Sequence, residues 1–289
     1  MASKHRFNFA WPCMAVASLS VLLSACLNLP HSNNANAPIK PVSYEAAPAD
    51  VRQALAPTGA LRVGVYPGSP TSWVKDPKTG ESVGIALDLG KALAKRLNVP
   101  VQVVEFDRVA QVLDALKDGK VDLTFTNATA VRAKDMDFTP PMVRLELGYL
   151  VIGESPLNEV SAIDQAGLRV GVSQGSTSQG VLTRQFKNAS VVPAASLKQA
   201  QDMLRQKSID AFATNKGILF EMSDELTGSR VLAGRWGLEN LAIAIPKGRD
   251  AGANYLRAFV EDIKASGLVA RTIDDNGGRG LSVAPPAAP

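Results

Sequence analysis

The sequence predicts an α/β protein built as two similar lobes with a ligand cleft between them. Short apolar strands alternate with amphipathic helices from Leu61 onward, and LRVGV at 61–65 returns as GLRVGV at 167–172. Alternating strands and helices with short connections pack as a parallel sheet covered by helices. A restart of the same pattern halfway along the chain implies a second unit of the same kind. Ligands of open α/β sheets sit beyond the carboxyl ends of the strands, so two facing lobes would hold the site between them.

The elements follow in order. LRVGV (61–65) is the first strand, and VKDPKTGE, with Lys75 and Asp76, reads as a surface hairpin turn. GIALDLGKALAKRLN (84–98) sets Ile85, Leu87, Leu89, Leu93 and Leu97 largely on one helical side and stops before Pro100. VQVVEF (101–106) is a strand, VAQVLDALKDG (109–119) a helix ended by Gly119, and VDLTF (121–125) a third strand. Residues 147–152 cross to the second lobe. There GLRVGV is followed by a helix at 177–187, the strand SVVPA, a helix at 196–206, the strand SIDAFAT (208–214) and a helix from Lys216. ENLAIAIPKG (239–248) suits a return crossing, and a helix at 250–266 closes the first lobe. The expected organisation is a signal peptide at 1–25, a flexible tether at 26–58, lobe 1 at 59–147 plus 244–275, lobe 2 at 148–243, and a disordered tail at 276–289.

The N-terminus is a targeting segment. A basic stretch with Lys4 and Arg6 precedes an apolar run ending in LSAC, which resembles the bacterial lipobox and makes Cys26 the lipidation site. Cleavage there lowers the formal net charge from +4 to +2 and removes Cys13. Ordinary cleavage nearby is the alternative. One cysteine then remains, so no internal disulfide is expected. His5 and His31 both precede the folded part, which therefore has neither histidine nor cysteine. That excludes Ser-His-Asp and Cys-His nucleophiles, zinc-binding HExxH motifs and cysteine-ligated metals. No metal or cofactor is expected. The scattered basic residues argue against nucleic acid.

The segment TNATAVRAKDMDFTPPM (126–142) leaves a strand through small polar residues and presents Arg132. An arginine fork can hold a carboxylate with two parallel hydrogen bonds, completed by nearby hydroxyls. It can equally be a surface arginine paired with Asp135 or Asp137. In SQGSTSQG (173–180), Gly175, Ser176 and Thr177 lie where a strand gives way to a helix, a geometry that binds anions or simply caps the helix.

The ordered set LRVGV, LDLGKALAKRL, ALKDGKVDL, a Thr-rich turn to Arg132, DFTPP, GLRVGV with QGST, and SIDAFAT resembles the family 3 extracellular solute-binding proteins over about residues 60 to 270. The resemblance implies the two-lobed periplasmic-binding-protein-like fold of type II. It implies hinge closure on a small carboxylate, an amino acid or something similar, for an ABC permease of the inner membrane, by an exported, lipid-anchored monomer on the periplasmic side. It assigns Thr126, Asn127, Thr129 and Arg132, with Gly175, Ser176 and Thr177 opposite, to the ligand carboxylate.

Three departures stand out. The turn before Arg132 is about two residues shorter than the usual form. Asn215 stands where amino-acid-binding members commonly carry an aspartate for the α-ammonium, so either the ligand lacks an amine or the amine is held in another way. Tyr66 and Trp73 lie out of register for the usual aromatic wall, and each is open to a wall or a packing role. Asp210 reads as structural. An alternative is an exported cyclohexadienyl dehydratase-like enzyme, for which Glu146 or Glu154 would supply the acid.

Overall fold

The computed structural model describes residues 47–287. The expected signal peptide, the expected lipidation site Cys26 and the expected tether up to residue 46 lie outside the described residues. The chain opens with α1 (Ala49–Leu55), β1 (Leu61–Val65), a hairpin of β2 (Val74–Lys75) and β3 (Ser82–Val83), and α2 (Ile85–Leu97). Then come β4 (Val101–Glu105), α3 (Val109–Lys117), β5 (Leu123–Asn127), β6 (Met136–Phe138) and the long β7 (Val143–Ile152). The second unit holds β8 (Arg169–Ser173), α4 (Thr177–Gln185), β9 (Ser190–Ala194), α5 (Leu197–Arg205), β10 (Ala211–Asn215) and α6 (Lys216–Glu225). The chain closes with β11 (Ser229–Val231), the long β12 (Gly237–Pro246), α7 (Asp250–Ala265), α8 (Leu268–Asp275) and β13 (Leu281–Val283).

One curled sheet runs through both lobes in the order β4-β1-β5-β12-β7-β10-β8-β9. β1 pairs in parallel with β4 and β5, and β8 in parallel with β9 and β10. The two parallel triplets are joined by β12 and β7, which pair antiparallel with each other from Gly237↔Leu147 to Leu241↔Val143. Both crossing strands match expected crossings; β7 begins four residues earlier than the expected 147–152, and β12 has the expected length but starts and ends two residues earlier. Separate apolar clusters flank the two triplets: one gathers Leu61, Leu89, Leu93 and Phe259, and another Val170, Val172, Leu182 and Ala213. α2 ends on Asn98 in the left-handed conformation (φ 55°), which asparagine tolerates, and Pro100 prevents continuation.

The repeated LRVGV extends to a repeated ion pair. In the first lobe Arg62 donates from its own backbone N–H (3.0 Å), Nε (2.9 Å) and Nη2 (2.8 Å) to Asp122, and from Nη2 to the Gly119 carbonyl (2.9 Å). In the second, Arg169 donates from N–H (2.8 Å), Nε (3.1 Å) and Nη2 (2.9 Å) to Asp210, and from Nη2 to the Lys207 carbonyl (2.7 Å). Each aspartate thus ties the start of its lobe's first strand to the turn before a neighbouring strand. This is the structural role expected of Asp210. In the first lobe Arg249 joins Asp122 as a second cation (3.1 Å).

Two expectations about the chain ends need correction. The tether read as extending to residue 58 stops short, because α1 forms there and buries Val51 and Leu55, four residues apart on one helical face. Leu55 packs over Gly252 of α7, where a Cβ would lie 2.5 Å from its Cδ2. The tail from residue 276 is not disordered throughout either. β13 pairs with β7 from Leu281↔Leu145 to Val283↔Val143, and Ala284 is buried. Pro- and Ala-rich composition hid both segments, since each is held by tertiary partners rather than by its own propensity.

Candidate ligand-binding cleft

The site begins where β5 ends. Ala128 N–H donates to the Asn240 carbonyl (3.0 Å), and the chain then leaves the sheet for a single 3-10 turn, Arg132–Lys134. Thr129 Oγ1 accepts from Arg132 N–H (3.2 Å), so this hydroxyl builds the turn, and Thr129 is not among the residues lining the cleft. The guanidinium folds back over the strand end. Its Nη1 donates to Thr126 Oγ1 (2.8 Å) and the Asn127 carbonyl (3.3 Å), while Nη2 reaches the Gly175 carbonyl of the other lobe (3.4 Å). Asp135 pairs with Lys117 (3.0 Å) and Asp137 with Lys247 (2.9 Å), so the surface ion pair open to Arg132 on sequence grounds does not form. The oxygens that Arg132 reaches are all neutral. Burial pulls the guanidinium below its usual value, with the Glu239 carboxylate pulling it partway back.

Across the cleft, α4 starts after the tight turn at Gly175 (φ +75°). Ser176 Oγ accepts from Gln179 N–H (3.1 Å) and caps the helix, and Gly175 N–H donates to Gln179 Oε1 (2.7 Å). The backbone N–H groups of Thr177 and Ser178 have no partner among the described residues, and both residues line the cleft. They form the anion-attracting start of α4. Gly175 also marks a close approach between lobes, because a Cβ there would meet Ala110 Cβ of α3 at 2.7 Å. Gly175→Ala is therefore expected to weaken ligand binding about tenfold or more by holding the lobes apart, as titration calorimetry would read.

Glu239 completes the arrangement. It lies on β12 opposite Leu145, and its carboxylate accepts from Asn127 Nδ2 and Thr177 Oγ1, one donor from each lobe. Asn127 Nδ2 also donates to Thr177 Oγ1 (3.1 Å). Burial pushes the Glu239 carboxyl above the usual glutamate range, against the opposing pull of Thr177, Asn127 and Arg132. The sequence reading missed Glu239 because ENLAIAIPKG reads as an apolar crossing strand. A signal was available: Glu239 shares a strand face with Leu241, Ile243 and Ile245, all buried.

That burial has a measurable consequence. The folded protein holds the Glu239 proton to higher pH than the unfolded chain does, so stability falls as pH rises above the ordinary glutamate value of about 4.3. Glu239→Gln is expected to raise the unliganded Tm at neutral pH, and the gain should shrink as the pH drops to about 4. Arg132 and Tyr66 are the titratable groups coupled to it.

The profile of the bacterial extracellular solute-binding proteins, family 3, matches residues 61–278. The chain belongs to this family. Among its relatives is the glutamine-binding protein of an ABC transporter from Bacillus subtilis (strain 168), 25% identical over 222 residues, which are 75% of this chain and 81% of the relative. An ancestral arginine-binding protein bound to glutamine is 26% identical with a TM-score of 0.68, covering 76% of this chain and 99% of its own. An ancestral amino acid-binding protein described as a precursor of cyclohexadienyl dehydratase has a TM-score of 0.67 at 24% identity, covering 76% and 96%.

The remaining candidate residues of this family 3 protein fall into distinct places. Tyr66 lines the cleft, and burial pushes its phenol up. Trp73 lies instead in a neighbouring groove with Pro67 and Leu197, packed against the first lobe's core, with Lys75 Nζ 5.5 Å from its ring centre. Asn215 lines the cleft and is buried, and its Oδ1 accepts from Ile218 N–H (3.2 Å) to cap α6. Glu146 is outside the cleft lining, held by Lys216 (2.8 Å) and Arg235 (2.9 Å). Those two cations draw its carboxyl below the usual range, the reverse of what a general acid needs. Glu154 is exposed beside Lys207.

Proposed function

We propose that this protein is the receptor of an ABC importer and closes its two lobes on a small α-amino acid, the carboxylate of which is gripped by Arg132 and by the free N–H groups of Thr177 and Ser178. The observation that carries the reading is Arg132 itself: a half-buried guanidinium at the lobe junction with only neutral oxygens as partners. Thr126 orients it, Asn127 and Thr177 bridge the lobes, Gly175 and Ser176 shape the start of α4, and Tyr66 walls the cleft. Thr129 and Trp73 support the site from outside it.

The cleft cavity, about 40 Å³, has room for only a few water-sized groups, so an amino acid would enter as the lobes part. We take the lobes as 59–147 plus 244–275 and 148–243; the separate apolar clusters support a two-lobe split, although Leu241 and Ile243, with Val51 and Leu55, pack with the first lobe. Family membership supports export and a membrane permease as partner; the proposed anchor at Cys26 rests on the LSAC run alone. Glutamine is the first ligand to try, since it is what the Bacillus subtilis relative is named for.

A thermal-shift panel of amino acids, keto acids and dicarboxylates tests this. A ligand at 100 times its dissociation constant adds about 2.7 kcal/mol, or roughly 5–10 °C for a chain of this size. Absence of any shift across the panel would sink the receptor reading.

A second reading has one observation in its favour. Glu239 is a cleft carboxyl whose proton is held by burial, which is what a dehydratase-like enzyme would need to protonate a leaving hydroxyl. Product formation from prephenate or arogenate, lost in Glu239→Gln, would establish it.

A further inference from the structure

The cleft contains a carboxylate, that of Glu239, which is held by neutral donors from both lobes. We infer that Glu239 binds the α-ammonium of the ligand and thereby selects α-amino acids over carboxylates that lack an amine. This rests on the proposed role of Arg132 as the carboxylate anchor and adds the second half of the recognition.

Charge is the first argument. The hydrogen-bond partners of Glu239 are neutral donors, Asn127 and Thr177, and among the described residues it forms no ion pair. Arg132 is likewise bonded only to neutral oxygens. The two opposite charges face one cleft without touching, which is the complement of a zwitterion. A half-buried carboxylate held by hydrogen bonds alone gains most from a cation delivered into the same site.

Position is the second. Thr177 donates its hydroxyl to Glu239 while its backbone N–H is free, so one residue adjoins both the carboxylate and the anion-attracting helix start. An α-amino acid carries its ammonium and carboxylate on a single carbon. Once its carboxylate reaches Arg132 and the start of α4, its ammonium lies beside Glu239 and can replace Asn127 and Thr177 as donor. A ligand without that amine would set its carboxylate against a second carboxylate, and like charges at such range exclude one another.

The other candidates fail on chemistry. Asn215 has committed its oxygen to the cap of α6, which leaves only amide hydrogens for the cleft, and these cannot receive an ammonium. Asp107 is the other acid that lines the cleft, and it is exposed at the rim, where water screens it.

Calorimetric titration of wild type, Glu239→Gln, Glu239→Ala and Arg132→Ala tests the assignment, using the twenty proteinogenic L-amino acids and the 2-hydroxy analogue of the tightest binder. Wild type should bind the hydroxy analogue at least about 100-fold more weakly than the amino acid. Glu239→Gln should weaken the amino acid by about 30-fold or more while moving the hydroxy analogue less than about threefold, so that selectivity collapses. The unliganded Tm of each variant checks that it folds. Unchanged or tighter amino acid binding in Glu239→Gln, with dependence on Arg132 retained, would overturn this inference alone. It would mean that Glu239 merely occupies the anion site when no ligand is present. A wild type that unfolds cooperatively and binds none of the amino acids would overturn the receptor reading as well.

Discussion

Asp122→Ala is expected to lower the midpoint of thermal unfolding by about 6–20 °C. Asp122 is fully buried, and its carboxylate is shared by Arg62 (2.8 Å) and Arg249 (3.1 Å), themselves only 18% and 15% exposed. Removing the anion leaves two largely buried guanidinium groups facing one another, and breaking one partner of a buried pair costs about 3–5 kcal/mol. At about 2–4 °C per kcal/mol for a chain of this size, that gives the stated range. The repeat provides an internal control. Asp210 makes the same set of bonds to Arg169, but their side chains are 29% and 43% exposed and no second arginine joins them. Water can replace much of what Asp210→Ala removes, so its shift should be less than half as large. Circular dichroism melts of both variants check this, and equal shifts would show that burial and Arg249 contribute little.

Arg132→Ala is expected to cut affinity for the amino acid ligand at least about 100-fold, the loss of two charge-assisted hydrogen bonds at about 1.5 kcal/mol each. The same substitution should leave the unliganded Tm nearly unchanged. The guanidinium is desolvated and hydrogen-bonded only to neutral oxygens, so relief of its burial offsets the lost hydrogen bonds and the lost attraction to Glu239. An unliganded protein that becomes much less stable would mean that Arg132 serves the fold instead. Loss of binding with stability intact would mark it as a ligand contact.

Much of the fold was legible because its signals are local. The 3.6-residue spacing of Leu89, Leu93 and Leu97 predicts α2, and the second LRVGV predicts a second lobe without any knowledge of how the two meet. The return crossing was equally visible as the apolar run at 239–248. Parts of the site were legible for a similar reason, since a Thr-rich strand end followed by an arginine has a chemistry of its own. What escaped notice depends on distant partners. α1 exists because Gly252 leaves room for Leu55, and β13 because the edge of β7 was free to accept a strand. Neither has a pattern strong enough to announce itself in a Pro- and Ala-rich stretch. Trp73 illustrates the converse: the sequence left it open to a wall or a packing role, and the turn leading into the β2–β3 hairpin sets it in the adjoining groove against the first lobe's core.

The sequence by itself determined the class of fold, the exclusion of histidine and cysteine chemistry, and the arginine that meets the cleft. These follow from composition and short-range periodicity, which need no third dimension. Only the tertiary structure decided which charge stands opposite Arg132. Glu239 is 107 residues further along the chain. It reaches the cleft because β12 pairs with both β5 and β7, which brings its carboxylate between Asn127 of one lobe and Thr177 of the other. No spacing rule in one dimension encodes that meeting, since it is set by strand register across the hinge.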